Sequence, residues 1–154
     1  MLEMKPATES DIEDIQQLLH ENKLSVSNVS NIISNCMIAY ERGKPLAAAG
    51  FFSEDIDALI EFVVVCKNHH GEYLGDGIIK ALLNLADKKG IKRVYVKGEE
   101  LYPFLQKVGF EKMDKEAFKG VIPPVISEQL MKAEWVSVAI LPDFFMKACR
   151  STKG

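Results

Sequence analysis

The chain has 154 residues, with 19 Lys and Arg against 22 Asp and Glu, a formal net charge of −3, 47% hydrophobic and 27% charged residues. That length suits one domain, 1–154, whose core buries about two thirds of the unfolded surface, and the composition excludes a disordered or fibrous protein. The acidic balance, with no basic run longer than Lys88-Lys89, argues against a nucleic-acid partner, and no apolar run approaches membrane-spanning length, so no membrane partner is expected.

The N-terminus carries Glu3, Glu9, Asp11, Glu13 and Asp14 and no apolar stretch of the signal-peptide kind, so a cytoplasmic location is expected. Cys36, Cys66 and Cys149 are odd in number and lack a CxxC spacing, which fits reduced thiols better than a disulfide frame or a zinc site.

Residues 2–7 predict a short strand, and Ser10 with Glu13 has the spacing of a capping box. A helix follows, with Ile12, Ile15, Leu18 and Leu19 at helical spacing and an end near Asn22. Residues 23–35, where Leu24, Val26, Val29, Ile32 and Ile33 recur among Ser and Asn, suggest a second, weaker helix. "CMIAYERGKPLAAAGFF" reads as a hairpin turning at Arg42-Gly43-Lys44. "DALIEFVVVC" reads as a central strand, apolar on both faces except for Glu61.

Next comes "EYLGDGIIKALL", in which Gly75 and Gly77 open an amphipathic helix that turns Ile78, Ile79, Leu82, Leu83 and Ala86 inward and stops at Gly90. Glycine weakens a helix interior. The pair therefore points either to a turn needing unusual dihedrals or to a close approach to the backbone, and the first amides of a helix, at the positive end of its dipole, suit a phosphate. "KRVYVK" is a strand, "YPFLQKVG" a short helix, "AEWVSVAIL" a late strand and "PDFFMKAC" a terminal helix. The strand-helix-strand crossover requires a parallel pair, while the hairpin requires an antiparallel one, so the fold class is α/β with a mixed sheet.

This order, with "KPATESDIEDIQQLL" at the front and "EYLGDGIIKALLNLADKKGIKRVYV" and "FLQKVGF" behind, resembles the GNAT superfamily of acyl-CoA-dependent N-acetyltransferases over residues 3–113, with a further strand and short helix in 114–154. The resemblance implies a GNAT-like mixed sheet with a central parallel strand pair flanked by helices. The family segment reads Glu-Tyr-Arg-Gly-x-Gly-x-Gly/Ala-x-x-Leu-Leu, and its backbone amides bind the pyrophosphate of coenzyme A. Glu72, Tyr73, Gly75, Gly77, Leu82 and Leu83 match it, Leu74 stands for the usual Arg or Gln, and Ile79 for the usual Gly or Ala. The implied cofactor is acetyl-CoA, cradled by Leu74, Gly75, Asp76, Gly77, Ile78 and Ile79. Leu105 stands where the family's thiolate-protonating tyrosine usually stands, and Gly98 where an Asn often contacts the cofactor.

The resemblance also implies an oxyanion donor among the backbone N–H groups of Val63, Val64 and Val65. It makes Glu61 a candidate general base, against a strand-face carboxylate that is paired or points to solvent. Tyr102, three residues before Leu105, is a candidate for the missing acid or a packing residue. Glu72 and Asp76 oppose an anion at the glycines, with Lys67, Lys80 and the pair His69-His70 able to offset them, although exposed loop histidines are the simpler reading. The implied partner is an amine acceptor, either a small molecule, an amino acid or a protein. An acyl-CoA-binding module that has lost catalysis is the alternative. Trp135, Phe144 and Phe145 gather aromatic surface near the C-terminus, either closing the core or forming a homodimer contact, the homodimer being the expectation.

Overall fold

The computed structural model describes residues 2–26, 29–69, 74–98, 105–107, 109–114, 116 and 120–141. Its strands are β1 (Leu2–Pro6), β2 (Cys36–Glu41), β3 (Lys44–Glu54), β4 (Asp57–Val65), β5 (Arg93–Lys97), β6 (Glu111–Lys112) and β7 (Val136–Ile140), and its helices are α1 (Ile12–Glu21), α2 (Leu74–Lys88) and α3 (Pro124–Met131). The strands form one seven-stranded sheet in the order β1-β2-β3-β4-β5-β7-β6. β4 and β5 are parallel, while β1 with β2, β2 with β3, and β5 with β7 are antiparallel. This is the mixed α/β sheet that the crossover and hairpin require. The chain divides into two compact units, residues 1–52 with 61–86 and residues 53–60 with 87–154, and β4 contributes to both.

In the first unit, α1 starts at Ile12, the first residue of its apolar repeat, and a 3-10 turn precedes it. The capping box is Thr8 with Asp11, not Ser10 with Glu13, because a 3-10 turn over Glu9–Asp11 leads directly into the helix and moves the cap upstream. Asp11 accepts the Thr8 N–H at 2.8 Å and the Lys5 ammonium at 2.8 Å, while the Tyr40 hydroxyl lies 2.8 Å from Asp11 and 2.6 Å from Asp14. The phenol's single proton serves one carboxylate at a time. Burial would raise the Asp11 pKa, but the hydrogen bonds from Lys5, Thr8 and Tyr40 and the Lys5 charge outweigh it and hold the carboxyl at about 2. For Tyr40, burial and the two carboxylates together push the phenol above its ordinary range.

The weaker helix expected in residues 23–35 is instead a 3-10 segment over Val29–Asn35. Ser and Asn dilute its helical pattern, yet Val29 and Ile32 still reach the core with Ile15, Leu18, Leu19, Ile38, Phe62 and Val64. The β2–β3 turn is two residues long: Arg42 and Gly43 have φ of 52° and 78°, and Lys44 already pairs with Glu41.

In the second unit, β4 and β5 pair in the register Asp57↔Arg93 to Leu59↔Tyr95. Asp57, 1% exposed, accepts Arg93 Nε at 2.7 Å, Arg93 Nη2 at 2.9 Å and the Tyr95 hydroxyl at 2.7 Å. The Asp57 hydrogen bond raises the Arg93 pKa, and burial followed by the same carboxylate raises that of Tyr95. Sequence reading missed β6 and α3, which lie in a stretch without a clear apolar period. α3 opens with Pro124, and its orphan amides are met by a distant side chain: the Glu54 carboxylate accepts the Ile126 N–H at 3.0 Å and the Val125 N–H at 3.3 Å.

Of the expected helix at 102–109, residues 105–107 are helical, and the expected terminal helix lies outside the described residues. The Lys112 ammonium sits 3.9 Å above the Trp135 ring, whereas Phe144 and Phe145, the rest of the expected homodimer surface, lie outside the described residues. Among the described residues no helix is long and apolar enough to cross a membrane.

Candidate active site

The first unit contains the two features to which the sequence assigned chemistry, the 61–65 half of β4 and the first turn of α2. Along β4 the side chains alternate. Phe62 and Val64 belong to the core cluster that α1 covers, and Cys66 packs against it, which puts Glu61, Val63 and Val65 on the opposite face. Val64 is 2% exposed, and Val63 and Val65 are half-buried. Glu61 is exposed, and its carboxylate makes no hydrogen bond or ion pair among the described residues. Of the sequence readings, pairing with a described residue is set aside, while a carboxylate that points to solvent and a general base both fit this exposure.

The far end of β4 is held in place by backbone groups. The Asn22 side-chain amide bridges the Leu18 carbonyl, at 2.8 Å, and the Val65 carbonyl, at 3.2 Å, tying the end of α1 to the strand. The Cys66 N–H donates to the Leu46 carbonyl at 2.7 Å, tying the strand end to β3. A strand fixed at its end keeps its own amides in one place, which is what a preorganised donor needs.

α2 begins at Leu74, so Gly75 and Gly77 lie inside its first turn. Neither has positive φ, so neither is glycine for the sake of unusual dihedrals. A Cβ on Gly77 would come within 2.9 Å of Met4 Cε, the end of a flexible side chain on β1. Gly77 thus already admits one neighbour, a packing role that no local pattern could have signalled. Ile78 and Ile79 are fully buried, and their N–H groups belong to the helix ladder, so the unbonded amides are those before Gly77.

The electrostatics of this turn are mixed. Asp76 suits the positive end of the helix dipole and so competes with an external anion, but its Oδ2 is paired with Lys80 Nζ at 3.1 Å. Its Oδ1 has no hydrogen-bond partner among the described residues. Lys67 is exposed just after β4. Glu72, Tyr73, His70, the side chain of His69 and the candidate acid Tyr102 lie outside the described residues.

Two residues at positions of family interest have plain local roles in the second unit. Gly98 has φ of 95° and donates its N–H to the Trp135 carbonyl at 2.7 Å, ending β5 in a conformation that an Asn side chain adopts only with strain. Leu105 is fully buried.

The profile of the acetyltransferase (GNAT) family matches residues 4–110. No curated protein matches the sequence. Among solved structures, the chain is similar to N-acetylglutamate synthase from Neisseria gonorrhoeae complexed with coenzyme A and N-acetyl-glutamate, at 19% identity and a TM-score of 0.75 over 92% of this chain and 35% of that one. It is similar to Rv2747 from Mycobacterium tuberculosis in complex with CoA and NLQ, at 17% identity and a TM-score of 0.71 over 90% and 99%. It is also similar to the ribosomal-protein-S18-alanine N-acetyltransferase from Escherichia coli, at 12% identity and a TM-score of 0.65 over 92% and 94%. At these identities the likeness is one of fold, and the chain spans about a third of the length of the synthase.

Proposed function

The chain belongs to the acetyltransferase (GNAT) family, and from that membership we propose that it transfers an acetyl group from acetyl-CoA to a primary amine of a small molecule, an amino acid or a protein. The observation that carries the reading is the first turn of α2, where Gly75 and Gly77, both with ordinary helical dihedrals, lie among and just after the amides that have no intrahelical partner. Glycine there costs the helix about 1 kcal/mol relative to alanine, a cost that close approach of a pyrophosphate would offset. The coenzyme A bound in the similar solved structures supports the same ligand.

In this reading the backbone N–H groups of Leu74, Gly75 and Asp76 hold the pyrophosphate, with Gly77 leaving room beside them. Ile78 and Ile79 support the turn from the core rather than touching the ligand. The amine nitrogen attacks the thioester carbonyl, and an N–H among Val63, Val64 and Val65 steadies the developing oxyanion. The C–N bond forms, the C–S bond breaks with its electron pair staying on sulfur, and Glu61 takes the proton from nitrogen. Glu61 suits this task because no described partner occupies its carboxylate. The departing thiolate takes a proton from solvent or from Tyr102. A free thiol has a pKa of about 8.5, so it leaves near neutrality without a dedicated acid, which suits a chain with Leu105 at the tyrosine position.

Isothermal calorimetry with coenzyme A, followed by detection of released thiol when acetyl-CoA meets a panel of amines, tests the reading in two stages. Binding with thiol release is expected. Binding without release to any amine would overturn the transfer step, and no binding to the folded protein would overturn the cradle as well.

A further inference from the structure

The first unit also holds an open cleft of about 520 Å³ that the transfer chemistry does not use. It lies where the C-terminal turn of α1, the start of β3 and the chain just after β4 meet. Its volume is within the range of about 300–1,000 Å³ that small-molecule sites occupy. The cleft is on the far side of the strand from Glu61, since Cys66 in its wall packs with the cluster under α1 whereas Glu61 alternates to the other face. The same bonds that fix the end of β4, Asn22 to the Val65 carbonyl and the Cys66 N–H to the Leu46 carbonyl, tie its three walls to one another.

The lining divides by chemistry. Leu18, Pro45 and Leu46 give an apolar floor, with Leu18 2% and Leu46 5% exposed. Lys44 and Lys67 bring two ammonium groups to the rim from different walls, and Glu21 brings one carboxylate from the third. None of these three charges makes an ion pair or hydrogen bond among the described residues. Among the described residues, a rim of two cations and one anion around an apolar floor matches a ligand with the converse distribution: a carboxylate, an ammonium and an apolar body.

We propose that this cleft binds a free α-amino acid with an apolar side chain, its carboxylate between Lys44 and Lys67, its ammonium on Glu21 and its side chain against Leu18, Pro45 and Leu46. The site is separate from the proposed acetyl-transfer site and does not depend on that reading. It shares with it the end of β4 and Lys67, which also lies near the glycine turn in sequence.

Calorimetry on the intact protein, with L-leucine, L-leucinamide and N-acetyl-L-leucine as probes and no acyl-CoA present, tests the proposal whether or not the chain acetylates anything. L-Leucine is expected to bind, and the amide and the acetylated form, each lacking one charge, to bind at least about tenfold more weakly. The double variant Lys44→Ala, Lys67→Ala should weaken leucine at least about tenfold and remove the preference over leucinamide, while Glu21→Gln should remove the preference over N-acetyl-L-leucine. Lys44 and Lys67 are exposed and Glu21 is half-buried, and circular dichroism would confirm that the variants fold. No binding of leucine, equal binding of the three probes, indifference to the substitutions, or competitive displacement of leucine by coenzyme A would each overturn the proposal.

Discussion

Two carboxylates on β4, Asp57 and Glu61, stand on the same face of one strand and have opposite surroundings. Asp57 is 1% exposed and meets a two-pronged Arg93 and the Tyr95 hydroxyl, while Glu61 is exposed with no partner among the described residues. A buried charge persists only where it is paired and hydrogen-bonded, so Asp57 is committed to holding the parallel pair in register. Glu61 has made no such commitment and keeps its acceptor capacity for a proton. One acidic residue secures the strand and the other is exposed without a described partner, which an amino-acid type alone does not distinguish.

Removing the committed carboxylate should have the largest effect on stability. Asp57→Ala leaves the Arg93 guanidinium, which is largely buried, without its partner and should cost about 3–5 kcal/mol in urea unfolding, whereas Glu61→Ala should change stability by less than about 0.5 kcal/mol. Equal costs would dissolve the contrast.

A smaller effect is expected at Asp11, the corresponding secured carboxylate of the first unit. Its pKa is about 2 folded against an ordinary 3.8, so its contribution is full above about pH 4 and is lost as the pH falls through about 2. Asp11→Asn should therefore lower stability at pH 7 by about 1–2 kcal/mol and flatten the loss of stability between pH 4 and pH 2, as followed by thermal unfolding across that window. An unchanged acid limb would show that Asp11 is not the group responsible.

The smallest effects concern the glycine turn. Gly77→Val should weaken coenzyme A binding more than Lys80→Ala, because it obstructs the backbone while Lys80 is already paired with Asp76. Gly77→Ala pushes on Met4 Cε, so its cost to stability should be under about 1 kcal/mol and should vanish in a Met4→Ala background. If the double variant also restores coenzyme A binding in full, Gly77 is glycine for the sake of Met4 and not for a phosphate.

Much of this architecture was legible from periodicity. The inward face of α2 is the predicted one, with Ile78, Ile79, Leu82, Leu83 and Ala86 all fully buried, because a wide apolar stripe at helical spacing has one way to be covered. The hairpin at Arg42-Gly43 was legible from turn chemistry. Asp57 was not, since a carboxylate at the mouth of an apolar strand reads as an end signal until its partners at 93 and 95, across a crossover, are known. The Gly77–Met4 contact and the Glu54 cap on α3 escaped for the same reason, being pairings of residues distant in sequence that leave no local pattern. Glu61 was visible because it interrupts an apolar run, but its lack of a partner among the described residues is a property of the fold.

The most direct test of the central assignment compares Glu61→Gln with the unaltered protein and with Tyr102→Phe, measuring turnover at saturating acetyl-CoA after calorimetry has shown that all three bind coenzyme A equally. Glu61→Gln is predicted to bind normally and to lose about 10²–10⁴-fold in turnover, with Tyr102→Phe losing less. Turnover that survives Glu61→Gln while collapsing in Tyr102→Phe would contradict the assignment.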